Sequence, residues 1–114
     1  MTNAIMGIVM ALMLVENSGP TDRGACGGVG VLQITEIMFR EYVRLGGLLP
    51  PEARESPMLS KQIAHKVLSE RFKRRGTDPS TSEGIRYAAW LWNPHDPKYY
   101  SKLKGKLNEV PAWD

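Results

Sequence analysis

Residues 4–20 read Ala4-Ile5-Met6-Gly7-Ile8-Val9-Met10-Ala11-Leu12-Met13-Leu14-Val15-Glu16-Asn17-Ser18-Gly19-Pro20. The run from Ala4 to Val15 carries no charge and is apolar on nearly every side of a helix. Such a helix must be enclosed by other elements. It is shorter than the ~20 residues a membrane-spanning helix needs. Its start, Met-Thr-Asn, carries no Lys or Arg and no Ala-x-Ala site follows, so a core helix is expected rather than a signal peptide. Thr2 or Asn3 is the expected N-cap, Val15 or Glu16 the last residue, and Gly19-Pro20 the stop. Met1, Met6, Met10 and Met13 are expected to fill the core around it.

Glu16 is the odd residue of this stretch. The C-terminal end of a helix is its negative end, which disfavours a carboxylate by ~0.3–1 kcal/mol. Apolar neighbours add a desolvation cost to the charged form. An acid that keeps its proton is what general acid catalysis needs. The plainer reading is a solvent-facing Glu in a turn.

Downstream, Gly19, Gly24, Gly27, Gly28 and Gly30 precede the β-prone run Val29-Gly-Val-Leu-Gln-Ile. A short hairpin or extended loop is expected, without room for a large sheet. Thr35 can cap a second helix over 36–45, ended by Gly46-Gly47. A Pro-rich loop follows over 48–55. Ser56-Pro57 then places an N-cap before Pro at the first helical position, opening a third helix to about Arg75. Leu59, Ile63 and Val67, beside Ala64, Leu68 and Phe72, form one broad apolar stripe on it. Ser80-Thr-Ser-Glu83 has the capping-box pattern of a fourth helix that ends near Asn93, before Pro94 and Pro97. A fifth helix is expected over 98–108. The fold class is therefore mainly α with one short Gly-rich β element, in a single domain over residues 1–114.

Composition excludes several classes. A chain of 114 residues has room for one modest core. Hydrophobic residues at 42% and charged residues at 24% exclude a disordered tail. Lys and Arg number 15 against 12 Asp and Glu, a net charge of +3 that is mild for a dedicated nucleic-acid binder. A single Cys, Cys26, excludes an internal disulfide. With His65 and His95 remote from it in sequence, no zinc site of Cys and His is expected. Cys26 reads as a bystander thiol, and both histidines read as solvated. No metal and no cofactor is expected.

Four segments taken together point further. Val15-Glu16-Asn17-Ser18-Gly19 is followed by Gly30-Val31-Leu32-Gln33-Ile34-Thr35, then Leu91-Trp92-Asn93, then Lys98-Tyr99-Tyr100. In that order they resemble the lysozyme-like superfamily, and more narrowly the soluble lytic transglycosylases and their small phage-type muramidase relatives. In that family a helix ends in Glu-Ser, Gly-x-x-Gln forms a turn, an aromatic-Asn pair ends a later helix, and a Tyr precedes the last one. The Ser-Pro start of the third helix is similar too, so the resemblance spans most of the chain. This sequence departs from the pattern where Asn17 stands for Ser and where Pro94 follows Asn93.

The resemblance implies two lobes around a groove, with Glu16 at its floor. It implies cleavage of the β-1,4 bond from N-acetylmuramic acid to N-acetylglucosamine in peptidoglycan, at the bacterial cell wall or periplasm. Glu16 matches the catalytic acid/base. Asn17, Ser18, Gln33, Trp92, Asn93 and Tyr99 match substrate-binding or positioning residues, and Gly28 and Gly30 would let backbone approach the sugar. Each has a plainer reading: hairpin glycines, a helix C-cap at Asn93, core packing at Trp92 and Tyr99. A hydrolase would need a second carboxylate about 5–5.5 Å away if retaining, or 6.5–9.5 Å if inverting. Asp22 is the leading candidate, ahead of Glu36 and Asp96. Transglycosylase and muramidase both stay open, as does a catalytically inactive glycan-binding or structural module. The expected partner is the glycan strand, with no nucleic acid and no membrane span, and the expected state is a monomer. A DNA-binding helical domain leaves Glu16 and the Gly-x-x-Gln segment unexplained.

Overall fold

The computed structural model describes residues 3–24 and 27–110. Met1, Thr2 and Cys26 lie outside the described residues, so the Thr2 cap and the Cys26 reading have no counterpart below. The protein is mainly helical. Its elements are α1 (Asn3–Glu16), α2 (Glu36–Arg44), a 3-10 turn (Pro51–Glu55), α3 (Pro57–Arg75), α4 (Ser82–Trp92) and α5 (Tyr99–Leu107). No described helix is long and apolar enough to cross a membrane. The chain divides into two compact units, Glu16–Val67 and Met1–Val15 with Leu68–Asp114.

The unit Glu16–Val67 begins where α1 ends. Asn17 takes a left-handed backbone, φ 48°, and that terminates the helix before Gly19-Pro20 is reached. Asn is among the few non-glycine residues that tolerate this conformation. The Gly-rich segment forms no continuous strand among the described residues. It is held by two isolated antiparallel bridges, Arg23 with Val29 and Val29 with Ile34. Thr35 caps α2 by accepting from the Met38 N–H. The far end of α2 closes in a Schellman turn: the Gly46 N–H donates to Val43 and the Gly47 N–H to Tyr42, with Gly46 at φ 91°. The expected Pro-rich loop contains the 3-10 turn, because Pro51 at its first position has no N–H to lose. Ser56 Oγ accepts from the Leu59 N–H and opens α3 as expected. Val31, Leu32, Ile34, Phe39, Tyr42 and Ile63 are buried in this unit.

Ser60 sits on the same helix with no exposure, and its Oγ has no hydrogen-bond partner among the described residues. A buried hydroxyl left without a partner costs ~1–3 kcal/mol, and Ala is the better helix former. Ser60→Ala is therefore expected to stabilise the protein by about 1 kcal/mol, read as a raised urea midpoint at unchanged slope. A lowered midpoint would show that the hydroxyl has a partner in solution.

In the second unit Ile8, Val9, Leu12, Leu68, Phe72, Ala88, Ala89, Tyr99 and Leu103 are buried, and α4 packs on α5. Met6, Met10 and Met13 are half-buried at the margin. The cap of α4 is Thr81, not Ser80 as the capping-box pattern predicts. Asp78 explains the shift: its carboxylate accepts from the Ser80 N–H and Oγ at 2.9 and 2.7 Å, leaving Thr81 Oγ1 to accept from Gly84. Those two Ser80 bonds, the backbone one first, hold the Asp78 carboxyl below its ordinary value. Lys102, at 2.8 Å, and then the Lys98 N–H do the same for Asp96.

A carboxyl lowered by folding contributes stability above its unfolded value, and that stability is lost as pH falls through the folded one. The melting temperature is therefore expected to decline below about pH 3.8. In the double variant Asp78→Asn, Asp96→Asn that acid limb should be shallower. An unchanged limb would assign the decline to other groups.

Candidate functional site

Glu16 is the last residue of α1 and is half-buried and engaged by a neighbour in the fold. The residues after it form a tight turn. Ser18 Oγ donates to the Glu16 carbonyl at 3.2 Å. The Gly19 N–H donates to Asp22 Oδ2 at 2.7 Å, and the Asp22 N–H returns to the Gly19 carbonyl. Asp22 thus uses one carboxylate oxygen to fasten the turn, and it remains exposed.

Gln33 organises the Gly-rich segment. Its backbone is left-handed, φ 51°, a conformation that costs a residue with a Cβ roughly 1–2 kcal/mol. Its side chain turns back on its own loop. Nε2 donates to the Gly30 carbonyl at 2.8 Å and to the Asp22 carbonyl at 3.3 Å. The same Asp22 carbonyl accepts the Gly30 N–H at 2.9 Å. One amide therefore ties the two ends of the loop together. A Cβ at Gly24 or Gly28 would strike Gln33, so these glycines make room for that side chain. This is a second reason for glycine at 28, beside the expected approach of a sugar.

Trp92, Asn93 and Tyr99 belong to the other unit. Asn93 is the C-cap of α4, its N–H donating to the Ala89 carbonyl at 2.9 Å. Trp92 is half-buried and Tyr99 is buried, and each engages neighbours in the fold. Of the other acids, Glu36 pairs with Arg40 at 2.7 Å on an exposed face, and Asp96 is held by Lys102. His95 is exposed, and His65 is half-buried and engaged by a neighbour. Among the described residues no cluster of three or more His, Cys, Asp or Glu can hold a metal ion.

One feature is missing from the sequence reading. Arg75, Glu83, Arg86, Tyr87 and Trp90 line a surface pocket of about 380 Å³. Four of them stand on α4 at spacings of three, four and seven from Glu83, which is one face of a helix. That spacing was the available signal.

No family model matches the chain, and no match is found among curated proteins or among solved structures.

Proposed function

We propose that the protein is a peptidoglycan-cleaving glycosidase of lytic transglycosylase type, with Glu16 as its single general acid and base. One observation carries the reading. Among the described residues only two non-glycine residues have positive φ, Asn17 and Gln33. They fall in the two segments whose residue types suggested the chemistry, one directly after Glu16 and one in the Gly-x-x-Gln turn. Strained backbone of this kind concentrates at active sites, where the surrounding structure holds it.

In the proposed reaction Glu16 gives its proton to the oxygen leaving C1 of the muramoyl residue. The carboxylate so formed then takes the proton of the muramoyl 6-hydroxyl as that oxygen bonds to C1. The product is a 1,6-anhydro sugar, the acid is restored, and no water is consumed. Asn17, Ser18, Gln33, Trp92, Asn93 and Tyr99 are assigned to binding and positioning the glycan. The same proposal carries the lysozyme-like fold and a groove for the strand. A muramidase variant of it uses Asp22 as the second carboxylate and a water in place of the 6-hydroxyl.

Mass spectrometry of purified peptidoglycan after digestion tests the reading. Anhydromuramoyl products are expected. Products heavier by one water would make the enzyme a muramidase and turn attention to Asp22. A second reading, a glycan-binding module without turnover, draws on Gln33, whose side-chain NH2 is spent on its own loop. Retention of the protein on peptidoglycan with no released sugar would decide for it.

A further inference from the structure

The pocket on the exposed face of α4 has its own chemistry, and its reading does not depend on Glu16. Trp90 is 60% exposed, a costly place for an indole unless something covers it. It stacks on Tyr87 with ring centroids 6.3 Å apart and planes 16° from parallel. Tyr87 is braced in turn by Phe72, edge-on at 5.5 Å, so the platform is fixed from within.

Two guanidiniums flank it. Arg75 lies over the Tyr87 ring at 4.4 Å and Arg86 over the Tyr100 ring at 4.0 Å. Attraction of a guanidinium to a ring face uses none of its five N–H donors in a hydrogen bond to an oxygen, so they stay available to a ligand. Among the described residues neither Arg75 nor Arg86 joins a salt bridge. Glu83 adds one acceptor to the lining.

Charge favours an anion here. The unit that holds the pocket carries nine Lys and Arg against six Asp and Glu, whereas Glu16–Val67 carries six of each. The whole net charge of +3 therefore sits on the pocket's unit. Two forked donors suit a carboxylate, which takes paired N–H bonds from Arg. An exposed indole suits a ligand with a flat apolar face. Glu83 suits a ligand that also carries hydroxyl donors, and it opposes a chain of phosphates. The small volume suits one or two rings rather than a long strand.

We infer that this pocket binds an acidic saccharide, with the carboxylate of a pyranose between Arg75 and Arg86, its apolar face on Trp90, and its hydroxyls donating to Glu83. The probes are methyl glucuronide, neutral methyl glucoside, N-acetylglutamate and a short oligothymidylate. Each is titrated into the full chain while the indole N–H signal of Trp90 is followed by NMR. The glucuronide is expected to shift that signal, and the glucoside to bind at least about tenfold more weakly, the worth of a charge-assisted bond. Arg86→Ala, followed on the same signal, and Trp90→Ala, followed by isothermal titration calorimetry because it removes that indole, should each weaken the glucuronide by about tenfold or more. Both side chains are exposed, so unchanged circular dichroism is expected in both variants. Equal affinity for glucoside and glucuronide would overturn the proposal, as would no shift with either. N-acetylglutamate binding as tightly as the glucuronide would reduce the pocket to a plain carboxylate site and refute the saccharide. Tighter binding of oligothymidylate, lost in the same variants, would make it a nucleic-acid surface instead.

Discussion

Glu16→Gln is expected to lower glycan cleavage by about 10³-fold while the protein stays folded. Gln matches Glu in size and keeps an oxygen that accepts hydrogen bonds, but it has no acidic proton to give and does not take one. General acid–base assistance contributes typically ~10²–10⁴-fold. In the proposed reaction one carboxylate serves both proton transfers, so nothing else on the pathway replaces it. A 10³-fold loss is about 4 kcal/mol of barrier. Glu16 is half-buried and engaged in the fold, so a melting curve must accompany the assay. A variant that melts near the parent and releases no anhydromuramoyl product supports the assignment. Full activity in Glu16→Gln would remove Glu16 from the chemistry altogether. Asp22→Asn sorts the two mechanisms. Its remaining side-chain oxygen can still accept from the Gly19 N–H, so the turn is kept while the charge is lost. A transglycosylase should tolerate the change and a muramidase should not.

Two helix starts that the sequence announces correctly are set by a short-range bond between one side chain and one backbone group. Thr35 and Ser56 are of this kind, since each needs only the N–H three residues on. The fourth helix shows how such a signal is misread. Ser80 had the right spacing to Glu83, but Asp78 lies two residues before it and captures both its N–H and its hydroxyl. Competition between two polar side chains for one turn does not show in a four-residue pattern. The sequence expects α1 to end at Val15 or Glu16; it ends at Glu16, but not by the expected device. Gly19-Pro20 is the conspicuous stop, yet Asn17 has already turned the chain.

The Gly-rich segment was the least legible. Val29 to Ile34 has the composition of a strand, but glycines leave few side chains to pair across strands, and Gln33 bends out of the extended range. Among the described residues only two bridges survive. Nothing in the letter Gln encodes a positive φ. That conformation comes from its amide bonds to Asp22 and Gly30 and from the room that Gly24 and Gly28 leave. Glycines scattered along the sequence become interpretable only when the side chain they accommodate is known. The α4 pocket was hidden differently. Ala88 and Ala89 lie on the buried face of that helix, whereas Glu83, Arg86, Tyr87 and Trp90 mark its other side.

Gly30→Ala should be the more damaging of two glycine substitutions that look alike in sequence. Gly27 and Gly30 both have left-handed backbones, φ 79° and 81°. Adding a Cβ there costs roughly 1–2 kcal/mol by conformation alone. At Gly27 the new atom meets nothing within 4 Å among the described residues, so the conformational cost is the one expected there. At Gly30 the Cβ would also run into the Arg54 carbonyl oxygen and approach that of Pro20 at 3.2 Å. Arg54 cannot easily retreat. Its Nε donates to the Pro51 carbonyl at 3.1 Å and its Nη1 to the Ile34 carbonyl at 3.3 Å, which ties the 3-10 turn to the end of the Gly-rich loop. Moving its carbonyl means breaking one of these bonds, or the bond from the Gly30 N–H to Asp22 that positions Gln33. A further ~1–2 kcal/mol is expected from that rearrangement, which gives about 2–4 kcal/mol for Gly30→Ala against about 1–2 for Gly27→Ala. Urea midpoints of the two variants measure the difference directly. Equal losses would mean that the turn and the loop are not locked together in solution, and the loop's support for Gln33 would then have to come from Gly24 and Gly28 alone.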